Sequence, residues 1–211
     1  MRAPIAVVSL LALGLVGCAH RQPDRVVHTT SMTEAYRDIE LSGAFEVELV
    51  VGPEASVELS GDDKAIEQVR VLASGERLEI ETKGPRPLTG QVHVRITTPE
   101  IHSIEVNGAA GLTVAGLKTG SLEIELNGAG STKAEGSLES LQLEMNGAGS
   151  FDAPDLVAHR VDLEINGAGS ATVHAEESLH ASLHGVGSVR YAGHPQSIDK
   201  EVHGVGTIQP L

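Results

Sequence analysis

Carboxylates recur at a fixed interval along the C-terminal half of this chain. Glu105, Glu125, Glu144, Glu164 and Glu201 each stand two places before an Asn or a His, and Glu123, Asp162 and Asp199 stand four places before one. If successive intervals stack as neighbouring strands, these side chains align into two columns with steps of roughly 4.8 Å. Neighbouring charges at that spacing repel by roughly 0.9 kcal/mol even in water. Two arrangements would relieve the repulsion. One is a solvated face with counterions and lateral stagger; the other is capture of a hard divalent cation, Ca²⁺ or Mg²⁺, by adjacent carboxylate oxygens. The solvated face is the plainer expectation, with weak Ca²⁺ binding as the sharper one and no resident cofactor. The glycine-rich Ca²⁺-binding nonapeptide does not apply, because it needs an Asp inside the turn and these turns have none.

Histidine is the second set. Of ten, His174, His180, His184, His194 and His203 crowd the C-terminal third. Stacking would place His184 and His203 on adjacent steps with His180 nearby, a set able to share Zn²⁺. A site of fixed geometry normally also shows a carboxylate or thiolate in a local motif, so the expectation is no metal, with His filling an outward corner. Ser131, Ser150 and Ser170 sit beside glycine without a base to activate them and read as turn hydroxyls. No catalytic residue is expected.

The elements that must position these groups follow from a repeated phrase. It starts at Asn107 (NGAAG), at Asn127, Asn146 and Asn166 (each NGAGS), at His184 (HGVGS) and at His203 (HGVGT), with steps of 20, 19, 20, 18 and 19 residues. A near-constant period of this size marks a solenoid, whose coils bury their apolar side chains only against stacked neighbours. One, three and five places before each Asn or His the residues are apolar, as in Leu122, Ile124 and Leu126 or Val161, Leu163 and Ile165; only His102 and Lys200 depart. This alternation puts one face of a strand in a core and the other in water. A second short strand follows the glycines, with Phe151 and Ala153, Ala171 and Val173, and Val189 and Tyr191 at the same offsets. Two strands and a glycine-rich bend per period leave no room for a helix, and the expected fold is an all-β parallel β-helix of 18–20 residues per coil. Glycine supplies the positive φ or the close backbone approach at the corner. Asn107, Asn127, Asn146 and Asn166 tolerate that geometry and can bond amide to amide from coil to coil, forming a structural turn ladder. Six such coils make a column about 29 Å long.

Composition agrees. The 211 residues suit one ordinary domain; Trp is absent, and Tyr36, Tyr191, Phe45 and Phe151 are the only aromatic rings besides histidine. A narrow lumen filled by aliphatic side chains has little room for rings. With 29 Asp and Glu against 15 Lys and Arg, the chain lacks the basic stripe that nucleic acid requires.

Residues 1–17 read as a secretory signal, with Arg2 followed by a short apolar run from Ile5 to Val16. Leu15-Val16-Gly17-Cys18 resembles a bacterial lipobox, and Cys18, the sole cysteine, is the expected lipidation site. The resemblance to Gram-negative lipoproteins, together with Ala19 in place of Asp, implies an outer-membrane protein facing the periplasm or the cell surface. Residues 18–31 read as a flexible tether, and 32–211 as the folded domain, divided into less regular opening coils over 32–101 and six regular coils over 102–211. A short helix is expected within Asp62 to Val71, with Asp62 or Asp63 as its cap. The last motif ends close to the C-terminus without an evident cap. This predicts either a weak homo-oligomer or a monomer blocked by Pro210, which cannot donate a ladder hydrogen bond.

Phe45-Glu46-Val47-Glu48-Leu49, Val57-Glu58-Leu59, Leu78-Glu79-Ile80 and Pro99-Glu100-Ile101, leading into repeated Asn-Gly-Ala-Gly units, resemble the putative auto-transporter adhesin head GIN domain family over about residues 35–211. The resemblance implies a right-handed β-helix on a bacterial cell surface, of no known biochemical activity. The replacement of Asn by His184 and His203 departs from the pattern and ends the amide ladder at Asn166. The expected role is adhesion or surface interaction with an envelope glycan or protein, the membrane being engaged through Cys18. A polysaccharide-binding or polysaccharide-processing β-helix and a rigid stalk without a ligand remain as alternatives. Short, even coils argue against the groove that a polysaccharide enzyme builds from long loops.

Overall fold

The computed structural model describes residues 26–31, 35–84, 88–118 and 120–211. The expected signal segment at 1–17, the expected lipidation site Cys18 and residues 85–87 lie outside these residues. The elements are β1 (Val26–Ser31), β2 (Asp38–Val51), β3 (Ser56–Gly61), α1 (Asp63–Ile66), β4 (Val69–Ser74), β5 (Arg77–Thr82), β6 (Val92–Thr98), β7 (Ser103–Lys118), β8 (Ser121–Ala192) and β9 (Ser197–Pro210). The protein is all-β, and its nine strands join one sheet in the order β1-β3-β6-β2-β7-β8-β9, with β5 beside β2 and β4 beside β5.

Parallel, in-register pairing dominates. β7 lies on β8 with Ile104 opposite Ile124, Val106 opposite Leu126 and Asn107 opposite Asn127. β9 lies on the end of β8 with Leu183 opposite Val202 and His184 opposite His203. Like therefore meets like, because a slip of one residue would turn every buried aliphatic side chain outward. Unequal periods are absorbed locally: between Val114 and Leu117 the register of β7 shifts against β8, at the positive-φ Gly116. The inward residues fill one continuous core in which Ile104, Ile124, Leu143 and Leu163 are all essentially inaccessible. Each such side chain contributes about 1.5–3 kcal/mol on burial.

Glycine at the corner is required by the stacking itself. A Cβ built on Gly147 would stand 2.2 Å from the carbonyl oxygen of Gly128, and the same collision recurs for Gly128 on Gly108 at 2.0 Å and for Gly167 on Gly147 at 2.2 Å. These residues also hold φ near +140°, which L side chains rarely adopt.

The N-terminal region differs from its expected form in four respects. First, β2 pairs in register with β7 along most of its length, with Ile39 opposite Ile104, Ser42 opposite Asn107 and Gly43 opposite Gly108. It repeats the regular coils, with Ser42 in the place of Asn. Second, beyond β2 the single coil gives way to two separate strands: β5 pairs with its first half and β6 with its second, both parallel. The layers outside them are antiparallel, β4 on β5 and β3 on β6, so residues 32–101 are not a series of opening coils. Third, Val26–Ser31, assigned above to the tether, forms β1 and pairs antiparallel with β3; its valines and threonines favour an extended backbone. Fourth, the helix is only four residues long, capped at Asp62 without a side-chain hydrogen bond. Val69 and Val71 belong to β4, where β-branched side chains suit a strand better than a helix.

Candidate functional site

The outward face preceding each corner carries the carboxylates. In the four Asn-headed coils the amide Nδ2 donates to the carboxylate two residues earlier: Asn107 to Glu105, Asn127 to Glu125 and Asn146 to Glu144 at 2.8 Å, and Asn166 to Glu164 at 3.0 Å. Nδ2 also donates to the preceding coil's amide oxygen, from Asn127 to Asn107 at 3.1 Å, from Asn146 to Asn127 at 3.0 Å and from Asn166 to Asn146 at 3.1 Å. Asn127, Asn146 and Asn166 therefore use both amide hydrogens, one along the coil and one down the stack. The bonds along the coil are charge-assisted and draw negative charge toward an aligned row of dipoles.

The acidic row has a cationic end that the repeat pattern did not reveal. Glu40 lies opposite Glu105 on β2, and Arg77 on β5 bonds Glu40 and stands 3.8 Å from Glu105. The hydrogen bond Arg77 donates to Glu40, the charge of Glu40, and the charges of Glu105 and Glu79 raise the pKa of the Arg77 guanidinium above its ordinary value. Ser42 Oγ reaches toward Glu40 at 3.5 Å in the place an Asn would take. Recognising Ser42-Gly43-Ala44 as a variant of the repeated phrase would have disclosed Glu40, two places before Ser42, but not Arg77.

At the other end the pattern changes. The rings of His184 and His203 stack with centroids 4.8 Å apart and planes inclined by 13°. His184 Nε2 shares a hydrogen bond with Ser182 Oγ at 3.0 Å, and His203 Nε2 stands 3.7 Å from Glu201. His180 is turned to a different partner, Asp199 on the neighbouring coil, at 3.1 Å. The structure thus brings His184 and His203 together and engages His180 elsewhere. The second carboxylate row is broken by its own neighbours, since Glu123 lies opposite Ser103 and Asp199 opposite His180; Asp162 lies in a shallow surface groove with Arg160 and His180. Among the described residues no three His, Cys, Asp or Glu side chains converge as a metal site would require. No described helix is long and apolar enough to cross a membrane.

Beside the ladder runs a ribbon of small side chains, where Ala44, Ala109 and Ala129 lie in register, each directly after a glycine. It becomes apolar at the C-terminal end, where Val186 and Val205 are opposite each other and exposed. A flat ribbon and an acidic row side by side suit contact with an extended surface more than enclosure of a small molecule.

A family model for "Putative auto-transporter adhesin, head GIN domain" matches residues 35–195. Among solved structures, a putative adhesin from Bacteroides fragilis NCTC 9343 is 22% identical, with a TM-score of 0.71 over 90% of this chain and 98% of that one. Putative adhesins from Parabacteroides distasonis ATCC 8503 (17% identity, TM-score 0.54, 89% and 97% covered) and Parabacteroides merdae ATCC 43184 (16%, 0.50, 90% and 97%) are also similar. At these identities the likeness speaks for the fold. No curated protein matches the chain.

Proposed function

The chain belongs to the putative auto-transporter adhesin head GIN domain family, and from that premise we propose that it is a non-catalytic surface-interaction module of the bacterial envelope. The coils wind as a right-handed parallel β-helix, held to the outer membrane by acyl chains on Cys18. The observation that carries this reading is the in-register stacking, which sets like outward side chains side by side: Glu105 beside Glu125, Asn107 beside Asn127, Ala109 beside Ala129. A surface that repeats at strand spacing offers many weak, identical contacts to a partner that is itself repetitive, such as an envelope glycan or a surface protein array. Such contacts add through multivalency, so no single deep pocket is needed. Nucleic acid is a poor partner for so acidic a face.

The test is a binding screen of the lipid-free mature domain against glycan arrays and fractionated envelope. Retention by a polymeric glycan or a surface protein, lost when Glu125, Glu144 and Glu164 are all changed to Gln or when the exposed Ala129 and Ala148 are changed to Lys, is the expected result. Absence of retention on every fraction would leave a rigid stalk as the better reading. Turnover of a bound polysaccharide would convert the module into an enzyme and overturn the non-catalytic assignment. The anchor is tested separately, by asking whether Cys18→Ser releases the protein from membranes.

A further inference from the structure

The position three places before each motif residue forms an inward column of Ile39, Ile104, Ile124, Leu143, Leu163 and Ala181, all buried, and it ends in Lys200. Lys200 lies opposite Ala181, whose small side chain leaves room for the lysine stem. Lys200 is exposed at this end of the stack, and its ammonium reaches across the opening. Lys200 Nζ donates to Tyr191 Oη at 3.0 Å and to the Ile208 carbonyl at 3.4 Å, and it sits 4.5 Å from the centroid of the Tyr191 ring. Tyr191 and Ile208 each follow the glycine corner of their own coil, whereas Lys200 precedes its own, so this side chain bridges the open mouth from one arm of the coil to the other.

The mouth would otherwise be adhesive. β9 is the last strand of the sheet, and Ile198, Val202 and Leu211 remain 44%, 43% and 63% exposed, whereas Leu179 and Leu183, one coil inward, are buried. Such an end accepts another coil of the same pattern, and the internal junctions show how well like stacks on like. The N-terminal end of a second copy cannot supply that coil, because it is covered by the antiparallel β3 and β4. What remains is the mouth of another copy, in a two-fold arrangement that sets the two β9 edges antiparallel and their exposed aliphatic side chains face to face.

We propose that Lys200 is a stop residue that keeps two copies of this chain from joining mouth to mouth. In such a pair the two ammonium groups would be enclosed in one dry lumen, and both desolvation and mutual repulsion oppose that. An inward-pointing charge on an edge strand is a known means of refusing a partner, and Pro210 near the chain end withholds one further donor.

The experiment measures mass by light scattering and sedimentation over a wide concentration range, using the mature chain with Cys18→Ser so that no lipid drives association. The unaltered Lys200 chain and Lys200→Arg are expected to stay monomeric. Lys200→Met, which keeps the stem and removes the charge, is expected to double in mass with concentration, and Ile198→Glu added to it should restore the monomer. Lys200→Leu serves as the second apolar variant if the methionine variant does not fold, judged by circular dichroism. The proposal fails if folded Lys200→Met and Lys200→Leu remain monomeric, if the Lys200 chain already pairs, or if pairing survives Ile198→Glu.

Discussion

The coils headed by Asn and those headed by His share one backbone plan and differ in what fastens each to the next. From Asn107 to Asn166 each amide bonds its own carboxylate, and from Asn127 onward it also bonds the amide of the coil before it. From His184 onward two stacked rings replace the amides, and the flanking positions hold Ser182 and Glu201. The last coil is also exposed nearly throughout, including at positions that are core elsewhere. The difference teaches that apolar stacking sets where a coil sits, while the polar row along the corner determines how firmly like charges are held beside one another.

The largest expected effect tests the backbone shared by both regions. Gly147→Ala places a Cβ 2.2 Å from the Gly128 carbonyl oxygen at φ +141°, and a loss of about 3 kcal/mol or more is expected by chemical denaturation. Gly75→Ala, with nothing within 4 Å of its Cβ, should cost only about 1 kcal/mol. Equal losses at the two sites would remove close approach as the reason for corner glycine.

Next in size is the ladder. Asn146→Ala removes the donor to Glu144 and to Asn127 and the acceptor for Asn166. These groups are partly buried, so a loss of about 2–3 kcal/mol is expected, with increased hydrogen exchange in the adjoining coils. A smaller effect of opposite sign is expected at the other region: His184→Asn combined with His203→Asn should extend the amide row and raise stability by about 1 kcal/mol, with slower exchange in β9. If that double variant loses stability instead, the ring stack is the better fastener and the comparison is reversed. The smallest effect concerns Ca²⁺. The Asn-headed carboxylates already accept an amide hydrogen bond, so millimolar Ca²⁺ is expected to leave the thermal midpoint unchanged; a clear rise would show that the acidic row captures cations.

The regular part of the molecule was legible because its pattern is written twice, in a two-residue alternation and in a period near 20. What escaped detection lies where one of those signals is altered. Ser42 conceals the coil formed by β2, since the eye follows Asn-Gly while the fold needs only Gly43 and the aliphatic residues Ile39 and Leu41 before it. The antiparallel layers of β3, β4 and β1 escaped because antiparallel and parallel strands share the same alternation, and pairing direction is decided by long-range contact rather than by local sequence. Arg77 was hidden for the same reason, its value depending on Glu40 thirty-seven residues away. The acidic and amide rows were readable as positions, but the doubly used amide hydrogens depend on side-chain angles that no spacing encodes.

The register shift at Ala115 and Gly116 has a consequence for heredity. One coil takes up an extra residue there without displacing Leu117 from Gly136 or Lys118 from Ser137 on the next. A gene encoding this junction can carry one codon more or fewer near Gly116 and still bring the residues beyond it into register.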